Sequence, residues 1–174
     1  GRSILMPLAV MVAYGLLGAI DDYMGVRGRR EAFGMLGRHK FAVQTVLATV
    51  VAAALYFGLG NRYIAIPGIP ERIEIGLWYI PLAVILIVGF SNAVNLTDGL
   101  DALAGTTSAT AFVAYGVIAF LQGQGYLVAF SFTVVGAVLA FLWYNAYPAE
   151  LFMGDAGALA LGATLAVVAL MTGQ

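Results

Sequence analysis

Long apolar stretches without charge dominate the chain and set the first expectation. Residues 3–20 and 41–61 are two of them, and residues 75–97 form a third, apolar mainly from Leu77 to Phe90. Residues 102–149 carry no charge and are long enough for two more, divided by the polar patch Gln122-Gly123-Gln124-Gly125. A sixth follows Asp155, from Ala156 to Gln174. About 20 mostly apolar residues suffice for a helix to cross about 30 Å of hydrocarbon, so six spans are predicted. They must be helices, because unpaired backbone groups cannot face lipid and the short alternating segments of a barrel are missing. Between the second and third spans, residues 61–75 alternate on both sides of Pro67-Gly68, which predicts a short β-hairpin at one membrane surface. The expected fold is an all-α polytopic transmembrane bundle with a short extracytoplasmic hairpin. It forms a single integral-membrane domain over residues 1–174.

Composition then names the solvent. Of 174 residues, 62% are hydrophobic and only 10% charged, with a mean hydropathy of +0.96. A soluble domain carries about a quarter charged residues, so lipid must surround most of this chain. The net charge of −1 gives no reason to expect a nucleic-acid partner. The lack of cysteine removes disulfides and thiolate metal sites, and the single histidine, His39, removes any His-rich cluster. The apolar stretch after Arg2 ends without a small-residue cleavage pattern. Because the chain opens without methionine directly into that stretch, it is expected to be a fragment.

Charge placement orients the bundle. The segment from Asp21 to Lys40 holds Arg27, Arg29, Arg30, Arg38 and Lys40, five of the eight basic residues, and the positive-inside rule puts it in the cytoplasm. By parity, the segments around Gly99 and Glu150 share that side, while Gly68 and the Gln122 to Gly125 turn lie outside. Seven of the nine carboxylates therefore gather at one face.

Three clusters on that face carry candidate chemistry. The first, Asp21-Asp22-Tyr23, closes the first span. Adjacent carboxylates there repel unless a cation or proton is shared, and a helix C-terminus is a poor home for two anions; a solvated helix end is the plainer alternative. In the second, Asn92, Asn95, Asp98 and Asp101 recur every third residue, so a helical or 3₁₀ path would stack them on one stripe. Amide donors and carboxylate oxygens in register suit a magnesium–nucleotide site, although an Asn-rich cap with a turn at Gly99 would use some of them. The third runs from Trp143 to Ala158. Pro148 is expected to end one helix, and Asp155 to start the next, where a carboxylate is favoured in any case. The small residues Gly154, Ala156, Gly157 and Ala158 would let a phosphate approach backbone N–H groups. Phe152 and Met153 are loop residues suited either to the membrane interface or to a flat base.

Taken together, Asp21-Asp22-Tyr23, Lys40-Phe41-x-x-Gln44, the run from Asn92 to Asp101, Asn145-Ala146-Tyr147-Pro148-Ala149 and Phe152-Met153-Gly154-Asp155 resemble the polyprenyl-phosphate N-acetylhexosamine-1-phosphate transferase superfamily, glycosyltransferase family 4. Leu96-Thr97-Asp98-Gly99-Leu100, with Leu159-Ala160-Leu161-Gly162, favours its muramoyl-pentapeptide branch. The resemblance implies a Mg²⁺-dependent enzyme of the bacterial inner membrane, multi-pass, with its active site facing the cytoplasm. It would transfer phospho-N-acetylmuramoyl-pentapeptide from UDP-MurNAc-pentapeptide to undecaprenyl phosphate, giving lipid I and UMP, with a homodimer as a further expectation. Under the resemblance Asp155 holds Mg²⁺, and Asp21, Asp22 and Asp98 are catalytic, the first two serving the lipid phosphate and metal. Lys40, Asn92, Asn95, Asp101 and Asn145 bind substrate along the nucleotide cleft, which Asp98 also lines, and Phe152 stacks on uracil.

The chain departs from the family pattern in three ways. Gly25 stands where a lysine is usual, with Arg27 as the expected substitute; Ala102 and Ala158 replace a usual glycine and serine; and the family's C-terminal histidine motif and outer helices are absent. Three readings stay open beside the muramoyl one: a UDP-GlcNAc transferase, a catalytically silent truncated fragment, and a transporter. The transporter would place its charges mid-span near broken helices.

Overall fold

The computed structural model describes residues 4–27, 35–64 and 73–173. Six helices fill it: α1 Leu5–Arg27, α2 Gly37–Ala53, α3 Tyr79–Thr97, α4 Leu103–Leu121, α5 Gly125–Asn145 and α6 Gly154–Thr172. A π-helical turn, Ala54–Gly58, extends α2, and a 3₁₀ turn, Gly76–Trp78, leads into α3. All six, with these extensions, are long and apolar enough to cross a membrane, so the chain is a multi-pass membrane protein.

The predicted hairpin is present as two short strands, β1 Tyr63–Ile64 and β2 Ile73–Glu74, paired antiparallel with Tyr63 opposite Glu74. Its Pro67-Gly68 turn lies outside the described residues, as do Arg29, Arg30, Glu31 and Glu71. The expected positions of Arg29 and Gly68 relative to the membrane fall there too.

The core is built around α6. Its described side chains are buried almost without interruption from Ala158 to Leu170, and it packs against α1 and α3, with α4 on a further side. Small residues make this possible, since close backbone approach replaces the hydrophobic drive that lipid cannot supply. A Cβ at Gly18 would collide with the backbone of Asp155, and one at Gly162 would lie 2.7 Å from Ser91 Cα on α3. At the hairpin end, amide side chains close the carbonyl terminus of α6. Gln122 Nε2 donates to Thr172 O at 3.0 Å and Asn61 Nδ2 to Leu170 O at 3.3 Å. These carbonyls have no partner within the helix.

Two boundaries differ from expectation, each for a local reason. The Asp21-Asp22 pair does not close the first span, because α1 continues to Arg27; helical hydrogen bonding persists past the apolar stretch. The first cluster therefore lies inside a helix, away from the negative end of its dipole. Helix α5 stops at Asn145 rather than at Pro148, because Ala146 already takes an extended conformation (φ −65°, ψ 147°).

Candidate active site

The polar clusters converge at the end of the bundle opposite the hairpin. Lys40, in the first turn of α2, donates to Asp155 Oδ2 and lies 2.9 Å from Asp21 Oδ2. Asp155 Oδ1 accepts from Asn95 Nδ2 on α3. Asp21 Oδ1 is in turn held by the backbone N–H of Met35. Four elements thus meet on one carboxylate pair bridged by one ammonium. Arg27, expected to replace a missing lysine, instead donates to Tyr23 Oη at 2.6 Å and sits over that ring. The cluster's cation comes from α2.

The start of α6 is held by other carboxylates. Asp22 accepts from Asp155 N at 3.1 Å and Ala156 N at 3.0 Å, and the Asp98 carboxyl lies beside the Gly154 N–H. Gly154 takes φ +63°, and a Cβ there would come within 2.8 Å of Asp22 Oδ2, so glycine is required by conformation and by space. The Asp155 and Ala156 N–H groups, at a helix start expected to meet a phosphate, are satisfied by Asp22 instead. Asp155 itself is no cap, since its side chain turns to Lys40 and Asn95. Burial raises the Asp98 carboxyl above the ordinary carboxylate range, and the negative charges of Asp155 and Asp22 raise it further against the opposing Gly154 hydrogen bond.

The every-third-residue stripe survives only in part. Asn92 and Asn95 lie on α3, but the helix ends at Thr97, and Asp98 takes a non-helical conformation as its cap. Asp101 then turns away to accept from Ala149 N at 3.1 Å. Asn145, 3% exposed, accepts from Ala102 N at 3.0 Å and donates to Leu151 O at 2.8 Å. Asp101 and Asn145 therefore form a second knot that ties the turn before α4 to the loop before α6. Phe152 stands apart, 73% exposed, on the lip of an apolar groove of about 440 Å³ whose lining includes Met11, Phe141 and Gly157. Two contributors had no individual signal in the sequence: the Met35 backbone donor and the conformation of Gly154. Gln44 did have one, as part of the Lys40 motif; it is fully buried one helical turn beyond Lys40.

Residues 4–173 match the family model described as Glycosyl transferase family 4. The chain belongs to that family. Among its relatives named phospho-N-acetylmuramoyl-pentapeptide-transferase, one from Chloroflexus aurantiacus is 55% identical over 99% of this chain and 49% of its own length. One from Anoxybacillus flavithermus is 45% identical over 96% of this chain and 51% of its own. One from Bacillus anthracis is 44% identical over 100% of this chain and 53% of its own. The chain spans about half the length of these relatives.

Membership of family 4 gives one departure a physical meaning. Ala102, at a usual glycine position, takes φ 64°, ψ −11°, a left-handed conformation that costs an L-residue with a Cβ about 1–2 kcal/mol. Glycine relieves that cost but carries more chain entropy in the unfolded state. Ala102→Gly is expected to stabilise the protein by about 0.5–1 kcal/mol, read by denaturant unfolding in detergent. A lower stability would show that Ala102 is not strained.

Proposed function

We propose that this chain carries the catalytic site of a Mg²⁺-dependent phosphoglycosyl transferase that moves phospho-N-acetylmuramoyl-pentapeptide from its UDP-activated form to undecaprenyl phosphate. The observation that carries the reading is the meeting of Lys40 and Asn95 on Asp155, with Asp21 joined through Lys40, at one end of a membrane bundle. A site at the end of its spans suits a reaction between a membrane lipid and a water-soluble nucleotide. The family 4 relatives, named for this transfer, support the same assignment. The charged side chains described within the spans, Asp21, Asp22, Arg27, Arg38, Lys40 and Asp155, all lie near span ends, against the mid-span pattern of an ion path.

In the proposed reaction an oxygen of the lipid phosphate bonds to the β-phosphorus of the donor. The bond from that phosphorus to the bridging oxygen breaks, and UMP leaves with the electron pair. Asp98 takes the proton of the attacking phosphate, since a carboxyl raised toward the working pH is the better base. Lys40 is placed to meet phosphoryl oxygens, and Asp22 orients Asp155 by holding the start of α6. Phe152 offers an exposed ring to the uracil.

Asp155 and Asp21 carry carboxylate oxygens of the kind a hard cation takes, here engaged by Lys40, Asn95 and the Met35 N–H. Magnesium takes one or two protein carboxylates plus substrate phosphates rather than a complete protein cage. Asp155, with Asp21 beside it, would hold Mg²⁺, which supplies charge neutralisation at the diphosphate. Arg27, Arg38 and Lys40 at this end support a cytoplasm-facing site in the bacterial inner membrane.

Radiolabelled donors offered to the full-length protein in membranes with undecaprenyl phosphate test the assignment. Label should reach the lipid fraction from UDP-MurNAc-pentapeptide and be returned by excess UMP. Transfer from UDP-GlcNAc alone would overturn the branch, and transfer from neither would overturn the activity.

A further inference from the structure

Gln44 is buried completely at the junction of three helices, and it is clamped from two sides. Its backbone carbonyl accepts from Tyr14 Oη of α1 at 2.8 Å, and Tyr14 is itself fully buried. Its side-chain Oε1 accepts from Asn92 Nδ2 of α3 at 2.6 Å, while its Nε2 has no partner. A buried amide with an unmet donor is costly, and a methionine would fill the same space without that cost.

The orientation of the pair is dictated by chemistry. Asn92 Nδ2 also donates to Val88 O at 2.8 Å, and a backbone carbonyl can only accept. Asn92 must therefore present its NH₂ inward, and Gln44 must meet it with oxygen, which strands Nε2. With both N–H bonds turned into the bundle, the half-buried Asn92 has only Oδ1 left for a ligand. One turn along α3, Asn95 likewise directs its NH₂ to Asp155. On α2, Lys40 lies one turn before Gln44 and reaches the same Asp155. The Gln44–Asn92 bond thus sits one turn below the site and ties together the two helices whose next turns meet on Asp155.

We infer that Gln44 is a positioning residue that locks Asn92 as an acceptor-only contact, so that this part of the cleft reads hydroxyl, imide N–H or hydrated-cation donors rather than phosphate oxygens. The inference rests on the transferase reading above and specifies how its nucleotide-sugar cleft discriminates. Without Gln44 Oε1, the Asn92 amide gains a second orientation, and the contact loses its polarity.

The test is a double-mutant cycle in the full-length protein, assayed with UDP-MurNAc-pentapeptide and undecaprenyl phosphate. Gln44→Met should lower kcat/KM about tenfold, mainly through KM, the worth of about one hydrogen bond. Gln44→Glu keeps an acceptor oxygen in either protonation state and should stay within about threefold of the parent. Because Gln44 acts through Asn92, Gln44→Met should cost nothing further in an Asn92→Ala background. Additive losses, equal losses in the methionine and glutamate variants, or parental kinetics in Gln44→Met would each overturn the inference. Should Gln44→Met not fold, Gln44→Glu still decides, since a loss matching Asn92→Ala refutes the need for an acceptor alone. Inactivity of the parent with this donor would instead refute the transferase reading.

Discussion

Asp155→Asn is expected to fold and to lose at least about 10²-fold in kcat, comparable to removing one preorganised electrostatic contact. The fold should survive for reasons visible at the site. The Asp155 and Ala156 N–H groups at the start of α6 are held by Asp22, not by the Asp155 side chain. Lys40 is not stranded either, because Asp21 Oδ2 remains 2.9 Å away; removing one partner of a buried pair is most damaging when the other is left alone. What disappears is the anionic oxygen pair that takes Lys40 and Asn95 together. Melting in detergent should stay near the parent while single-turnover transfer collapses at limiting Mg²⁺. Near-parental turnover would show that Asp155 is not a metal or phosphate ligand.

Asp98→Asn should separate activity from stability in the opposite sense. The folded chain holds the Asp98 proton more tightly than the unfolded chain does, because burial and the neighbouring charges of Asp155 and Asp22 disfavour its ionised form. Its contribution to stability is therefore full below the ordinary carboxylate pKa and is lost as pH rises through the raised folded value. The amide carries no charge and still has an oxygen to place beside the Gly154 N–H. Measured with a chelator present, the variant should melt above the parent at neutral pH, and the difference should vanish in acid. Transfer should nevertheless fall by at least about 10²-fold, the lower end for a lost general base. A less stable variant at neutral pH, or one that keeps its turnover, would remove Asp98 from the proposed proton path.

The six spans, their order and the hairpin were legible because hydropathy and alternation are local properties. A stretch free of charge must cross lipid whatever its neighbours do, and one surrounded by lipid has to be helical. Asp21, Asp22, Lys40, Asn95, Asp98 and Asp155 were legible as candidates because polar groups at the ends of spans are costly without a use. Tertiary structure decided their division of labour. Small residues at Gly18 and Gly162 bring α1 and α3 against α6, and only that approach puts Asp22 on the N–H groups of Asp155 and Ala156. The spacing of Asn92, Asn95, Asp98 and Asp101 suggested one stripe, but the end of α3 at Thr97 sends Asp98 to Gly154 and Asp101 to Ala149. Nor could spacing show that Lys40 rather than Arg27 supplies the cation, or that the Asn92 amide faces inward. Those outcomes depend on which acceptor another helix brings within hydrogen-bond reach. Asn92 and Gln44 stand 48 positions apart and Asp22 and Ala156 134, separations that local periodicity does not encode.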